Sequence, residues 1–213
     1  MSALQSAPEI TWPDSDICVA AHDLVKDVSP AFLYNHLMRS YAFGAAIGQK
    51  QSKSFDAEML FLGAVMHDLA FVDQFENGHR FEVDSANAAK EFLSERGYDD
   101  KKIDVIWQAI ALHTTHDVPQ FLSPEVALVH FGAGLDVGMF PYEGLEAKQI
   151  DEIVELYPRL GFKKAIIETL GHVVQRNPRA TVTTFLEHVG HRCVDHYHAP
   201  NFVDIVTHSP FAE

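Results

Sequence analysis

The chain has 213 residues, 47% of them hydrophobic, enough for one domain with a sizeable core. Its 12 glycines and 10 prolines exclude a collagen-like or low-complexity chain, and the hydrophobic fraction excludes wholesale disorder. Sixteen basic against thirty acidic residues give a formal charge of −14, and no local basic patch argues for a nucleic-acid polymer as partner.

The first 16 residues show no basic stretch followed by an apolar run, which argues against a secretory leader and points to the cytoplasm. From there on, apolar residues recur at three- and four-residue steps in nearly every segment. That periodicity predicts helices over 16–27, 30–51, 55–70, 82–96, 100–113, 124–136, 146–156, 161–176 and 180–197. Ser29-Pro30 and Ser123-Pro124 read as an N-cap followed by proline in the first turn. Gly97 reads as a helix stop, and Pro158 and Pro178 break two later patterns. Loops are predicted at 73–79 and 114–120, a longer one at 134–144, and an irregular tail from 199. The longest apolar run, around 61–66, is far too short for a membrane span. Cys18 and Cys193 fit neither a disulfide framework nor a thiolate zinc site, as expected of a reducing compartment. The expected fold is all-α, a single domain over 1–213.

Polar residues on the apolar stripe of a helix carry the information, because burying them without a partner costs several kcal/mol. His36 shares a face with Phe32, Leu33, Ser40 and Phe43. The stripe Met59, Leu62, Gly63 and Met66 runs into His67-Asp68. Ile106, Ala109 and Ile110 lead to His113, and Val129, Gly132 and Ala133 lead to Asp136. A single such histidine is most simply a satisfied core residue. Two histidines and two aspartates arriving together need positive charge; Arg39 could neutralise one aspartate, and a divalent metal would neutralise both. Imidazole nitrogen with carboxylate oxygen suits zinc, iron, manganese or nickel better than calcium or magnesium. His67 and Asp68 also lie near a helix C-terminus, whose partial negative charge favours a cation.

The ordered set His36, His67-Asp68 and Asp136 resembles the H…HD…D signature of the HD-domain metal-dependent hydrolase superfamily. Asn35-His36 with Arg39, Phe81-Glu82 leading to Ala86-Asn87-Ala88, His113-Thr114 and Leu135-Asp136-Val137-Gly138 resemble its cyanamide hydratase branch. The resemblance covers about 33–140, with helices over 146–197 and the tail beyond it. It implies a helical bundle around one divalent transition metal, zinc first, held by His36, His67, Asp68 and Asp136. Members with two metals carry a further histidine where this chain has Phe81, so one metal is expected and His113 is left for acid/base work.

Such a metal lowers the pKa of bound water, to about 7 for catalytic zinc, and polarises an electrophile. The resulting expectation is addition of water to a small nitrile-type substrate such as cyanamide, giving urea. Asp68, Glu82 and His113 are the candidate catalytic residues, and Asn35, Arg39, Asn87 and His116 are candidates for orienting substrate or ligands. Glu82 equally suits a helix start, where the dipole favours an acid. Two alternatives stand beside this: a phosphohydrolase acting on nucleotides or phosphomonoesters, with Arg39 and Arg80 as its cations, and a binding module with a structural metal. The partner is a small molecule, with neither membrane nor nucleic-acid polymer, and a homo-oligomer is left open. His188, His191, His196 and His198 read as a solvated surface rather than a second metal site.

Overall fold

The computed structural model of the protein describes residues 10–140 and 145–211. Its α-helices are α1 Asp16–Val28, α2 Ala31–Lys50, α3 Ala57–Met66, α4 Phe81–Glu95 and α5 Asp100–Ala111. They are followed by α6 Pro124–Val137, α7 Ala147–Leu156, α8 Phe162–Arg176, α9 Leu186–Cys193 and α10 Phe202–Thr207. Short 3-10 turns lie at Leu69–Phe71, Asp73–Phe75, Pro119–Phe121 and Pro178–Thr181, and no strand occurs among the described residues. The fold is all-α, as the periodicity predicts. No described helix is long and apolar enough to cross a membrane.

At the centre lies α2, buried at nearly every position from Asn35 to Ala46, with α6 pressed along it. Glycine makes that approach possible. A Cβ on Gly132 would lie 2.1 Å from the Ser40 carbonyl oxygen and 2.9 Å from the Gly44 nitrogen, so the two helices touch backbone to backbone. Gly132→Ala is therefore expected to force α2 and α6 apart and destabilise the protein by about 1–3 kcal/mol, read as a lower melting temperature. An unchanged melting temperature would mean that the two helices are not packed this closely.

The helix α3 packs on α2, α5 and α6, and α4 lies against α5. Leu37, Tyr41, Phe61, Leu62, Val65, Ile106 and Leu128 fill the space between them. Each such side chain stabilises the fold by roughly 1.5–3 kcal/mol through burial. A second, smaller cluster of Ala70, Phe81, Val173, Val174, Leu186 and Tyr197 ties α8 and α9 to this bundle.

Several predicted boundaries move, each for a local reason. The helix expected to reach residue 70 ends at Met66, and Asp68 leaves helical backbone at φ −115°, ψ 22°. The one expected over 180–197 is a 3-10 turn followed by α9, because Thr183 (φ 64°) and His196 (φ 59°) are left-handed and cannot sit inside a helix. The tail contains α10, where irregular structure is expected. Ser29 and Ser123 make no capping bond; Asp56 and Asp99 do, accepting from Glu58 and Met59 and from Lys102 respectively. Gly97 is left-handed at φ 69°, as a helix stop requires. Part of the expected 134–144 loop is helical to Val137, and its last residues, 141–144, lie outside the described residues.

Candidate metal centre

Three imidazoles converge on one carboxylate, and their outer nitrogens settle which tautomers they adopt. His67 Nδ1 donates to the Ala64 carbonyl at 2.7 Å, and His113 Nδ1 donates to the Ile110 carbonyl at 2.7 Å. Both partners lie three residues back, on the last turns of α3 and α5, so each helix end orients its own histidine. His36 Nδ1 donates to Asp136 Oδ2 at 2.6 Å. A carbonyl or carboxylate can only accept, so each Nδ1 carries a hydrogen, and in the neutral ring each Nε2 keeps a lone pair.

Those Nε2 atoms face Asp68. From Asp68 Oδ2, His67 Nε2 lies at 3.2 Å and His36 Nε2 at 3.5 Å; the two nitrogens are 3.2 Å apart. His113 Nε2 lies 3.6 Å from the other oxygen, Oδ1. All four residues are at most 7% exposed. The donor atoms of His36, His67 and Asp68 lie within 4.8 Å of one another. Imidazole nitrogens and a carboxylate buried this close together call for positive charge between them, which ring protons or a divalent ion supply. Adjacent residues on a helix point about 100° apart, from the 3.6-residue turn; His67 and Asp68 converge because α3 ends just before them.

Burial alone would raise the Asp68 carboxyl, but the His67 and His36 imidazoles outweigh it and hold it well below the usual carboxylate range. Burial alone would lower His36, yet Asp136 and Asp68 raise it. Burial and the neighbouring His67 push His113 down to about 4.

Asp136 stands behind His36. Its carboxylate also accepts from Arg39 Nε at 2.7 Å, Arg39 Nη2 at 2.8 Å and Arg159 Nη1 at 2.9 Å. Burial would raise it, but the bonds from Arg39 and His36 dominate and hold it ionised well below the ordinary range. An ionised carboxylate on the outer nitrogen of a metal-binding imidazole fixes the ring and makes it a better ligand.

A cavity of about 760 Å³ opens beside this cluster. His36, His67, Asp68, His113, Thr114 and Asp136 line its polar part, and Phe43, Phe71, Phe81, Phe162 and Phe185 are among its apolar walls.

The HD-domain family model matches residues 33–156, more than half of the chain. The chain belongs to the HD-domain family. The matched segment contains the adjacent pair His67-Asp68, and with His36 it forms a group able to hold a metal ion. A curated protein of Clostridium beijerinckii (strain ATCC 51743 / NCIMB 8052), named "Uncharacterized protein", is 30% identical over 78 residues, 37% of this chain and 50% of that one. The chain spans about half the length of that relative.

Around His67-Asp68, the sequence-predicted residues part company. His36, His67, Asp68 and His113 come together; Asp136 joins them through His36, outside the group of converging donor atoms. Arg39 neutralises Asp136 and is fully buried behind it, so it does not line the cavity. Asn35 donates to the Pro158 carbonyl at 2.7 Å, tying α2 to the turn before α8 instead of facing the cavity. Asn87 is exposed and accepts from Trp107 Nε1 at 2.9 Å on the far side of α4. His116 is exposed on the loop after α5 and is not among the cavity-lining residues. Glu82 is buried but likewise absent from the lining; it accepts from Thr114 Oγ1 at 2.5 Å and Arg80 Nη2 at 2.8 Å. It reaches the cavity through Thr114. Phe81 stands edge-on to His113, with ring centres 5.7 Å apart, and lines the cavity wall.

Three participants escape sequence reasoning. Arg159 reaches Asp136 from the turn before α8, Phe162 stacks on His36 with ring centres 4.9 Å apart, and His130 donates to the His113 carbonyl at 2.6 Å. His130, on the buried face of α6, and Phe162, which recurs with Ile166 and Leu170 at four-residue steps, carry a periodicity signal; Arg159 carries none. Among the described residues the C-terminal histidines form no metal-binding group; His191 instead packs edge-on against Tyr197.

Proposed function

We propose that the protein is a metal-dependent hydratase that adds water across a nitrile-type carbon–nitrogen triple bond and releases the amide. The observation that carries this reading is His113: its unprotonated Nε2 faces Asp68 Oδ1, on the opposite carboxylate oxygen from the His36–His67 pair. An acid/base group thus stands beside the metal position without belonging to it. His36, His67 and Asp68 would hold the ion, zinc first, with iron, manganese or nickel as alternatives; Asp136, which the resemblance implies as a further ligand, instead has both oxygens engaged by His36 Nδ1, Arg39 and Arg159. When bound, such an ion acidifies water towards a pKa of about 7 and polarises the electrophile.

The chain's own residues account for the protons. As water adds to the carbon, one of its protons passes to His113 Nε2 and from there to the substrate nitrogen, leaving the ring as it began. The imidic acid formed rearranges to the amide. His113 is held for this by the Ile110 carbonyl at Nδ1 and by His130 at its own carbonyl. Thr114, fixed by Glu82, offers its hydroxyl oxygen on the cavity wall as an acceptor for the developing N–H. Asp136 and Arg39 keep His36 in place.

A neutral substrate suits the wall, because both nearby guanidiniums are committed to Asp136. The second reading, a phosphohydrolase, draws on Lys163, which lines the cavity together with Arg159. A small-molecule substrate and action in the cytoplasm belong to the same proposal.

The test is turnover by zinc-loaded protein of cyanamide and larger nitriles against nucleoside monophosphates. Amide or urea formation without phosphate release is expected. His113→Ala is expected to keep its metal and lose roughly 10²–10⁴-fold in rate. Phosphate release without nitrile hydration would overturn the hydratase in favour of the phosphohydrolase. No turnover, with a metal that chelators remove only on unfolding, would make the ion a structural staple.

A further inference from the structure

The cavity is much larger than the reacting group it serves. Cyanamide has about the bulk of two waters, ~60 Å³, whereas the cavity measures about 760 Å³. Cavities of such size enclose drug-sized ligands. Apart from Arg159 and Lys163, what lines the surplus is mostly apolar, and α8 presents one continuous strip of it. Phe162, Ile166 and Leu170 lie four residues apart, hence on one face of the helix, and all three line the cavity. The rim is apolar too: Val137, Met139 and Ile167 are 47%, 48% and 51% exposed and line the cavity together.

The family match ends at residue 156, before α8 begins. This wall is therefore built by a part of the chain that the shared HD segment does not include. The polar end of the cavity comes from within the match, at His36, His67, Asp68, His113 and Asp136; the apolar walls are shared between matched residues such as Phe43, Phe71, Phe81 and Ile150 and the α8 strip outside the match.

From the size of the cavity and this strip we infer that the substrate carries an apolar body of aromatic-ring size or larger, and that α8 selects it. The inference rests on the reading that the chemistry occurs at the His36–His67–Asp68 end of the same cavity. Phe162, stacked on His36, forms the boundary between the two ends. Ile166 and Leu170, one and two turns further along α8, contact the substrate body and discriminate by its length. Small nitriles fit the polar end and leave the strip wet, so they are poor substrates for want of this burial.

The test measures binding of primary aliphatic amides, from acetamide to octanamide, to the zinc-loaded protein by calorimetry. These are products of the proposed hydration and are not consumed. The Kd is expected to fall about fourfold with each methylene, the value for transferring one CH₂ out of water. In the double variant Ile166→Asn/Leu170→Asn, both half-buried positions on the cavity wall, the fall per methylene is expected to drop below about twofold. A Kd independent of chain length in the wild type, or no binding at any length, overturns the inference, whether or not the double variant folds. The two readings fail separately. A length-dependent amide series without nitrile turnover sinks the hydratase and leaves the apolar substrate standing. Hydration of cyanamide with a flat amide series does the reverse.

Discussion

His67→Ala and Asp68→Ala are each expected to purify with less than about a tenth of the wild-type metal and with no measurable turnover. Asp68 is the point on which the three imidazoles converge, and its carboxylate is the negative charge nearest all of their free nitrogens. Removing a group that merely orients a ligand costs 10–100-fold in metal affinity, so removing a ligand itself costs on the order of 10²-fold or more. Folding should survive, because a core of this extent does not depend on a metal in the way a zinc finger does. Elemental analysis of the purified variants, beside their far-ultraviolet circular dichroism, checks both statements. Near-stoichiometric metal in either folded variant would place the ion elsewhere.

Arg39→Met is expected to destabilise the protein by about 3–5 kcal/mol, the cost of stripping one partner from a buried ion pair. Arg39 is wholly inaccessible to solvent and holds both oxygens of Asp136; without it, that carboxylate keeps only His36 and the half-exposed Arg159. Adding Asp136→Leu to this variant should restore part of the stability, since an apolar pair of similar volume removes the stranded charge. The same double variant leaves His36 Nδ1 without its carboxylate and should bind metal 10–100-fold more weakly. Urea unfolding, with the slope held in common, measures the first effect, and competition with a chelator measures the second. A loss below about 1 kcal/mol in Arg39→Met would show that Arg159 alone suffices for Asp136.

These two centres also mark how far the sequence could be read. Helices α1 to α8 were legible because a buried stripe repeats every three to four residues, and the polar interruptions in those stripes at His36, His67, His113 and Asp136 all lie at the centre. Periodicity reports which face of a helix is buried, and that is all it reports. It does not say what covers the opposite face, so Asn87, one turn along from buried positions, lies on the surface against Trp107. Nor does it give the side-chain atom that a buried residue presents. Asp136 is buried as expected, yet its oxygens turn to His36 Nδ1 and two arginines. Arg159 had no signal because its role comes from a turn between helices, 23 residues along the chain from its partner. The break before α9 was hidden for a related reason: Thr183 adopts a left-handed backbone that glycine would have announced and threonine does not.

Anomalous diffraction from crystals of the zinc-loaded protein tests the central claim most directly. The account predicts a single peak in the space between His36 Nε2, His67 Nε2 and the Asp68 carboxylate, with His113 beside it and unbound. A peak outside that space, or no peak with zinc present in the crystal, would contradict it.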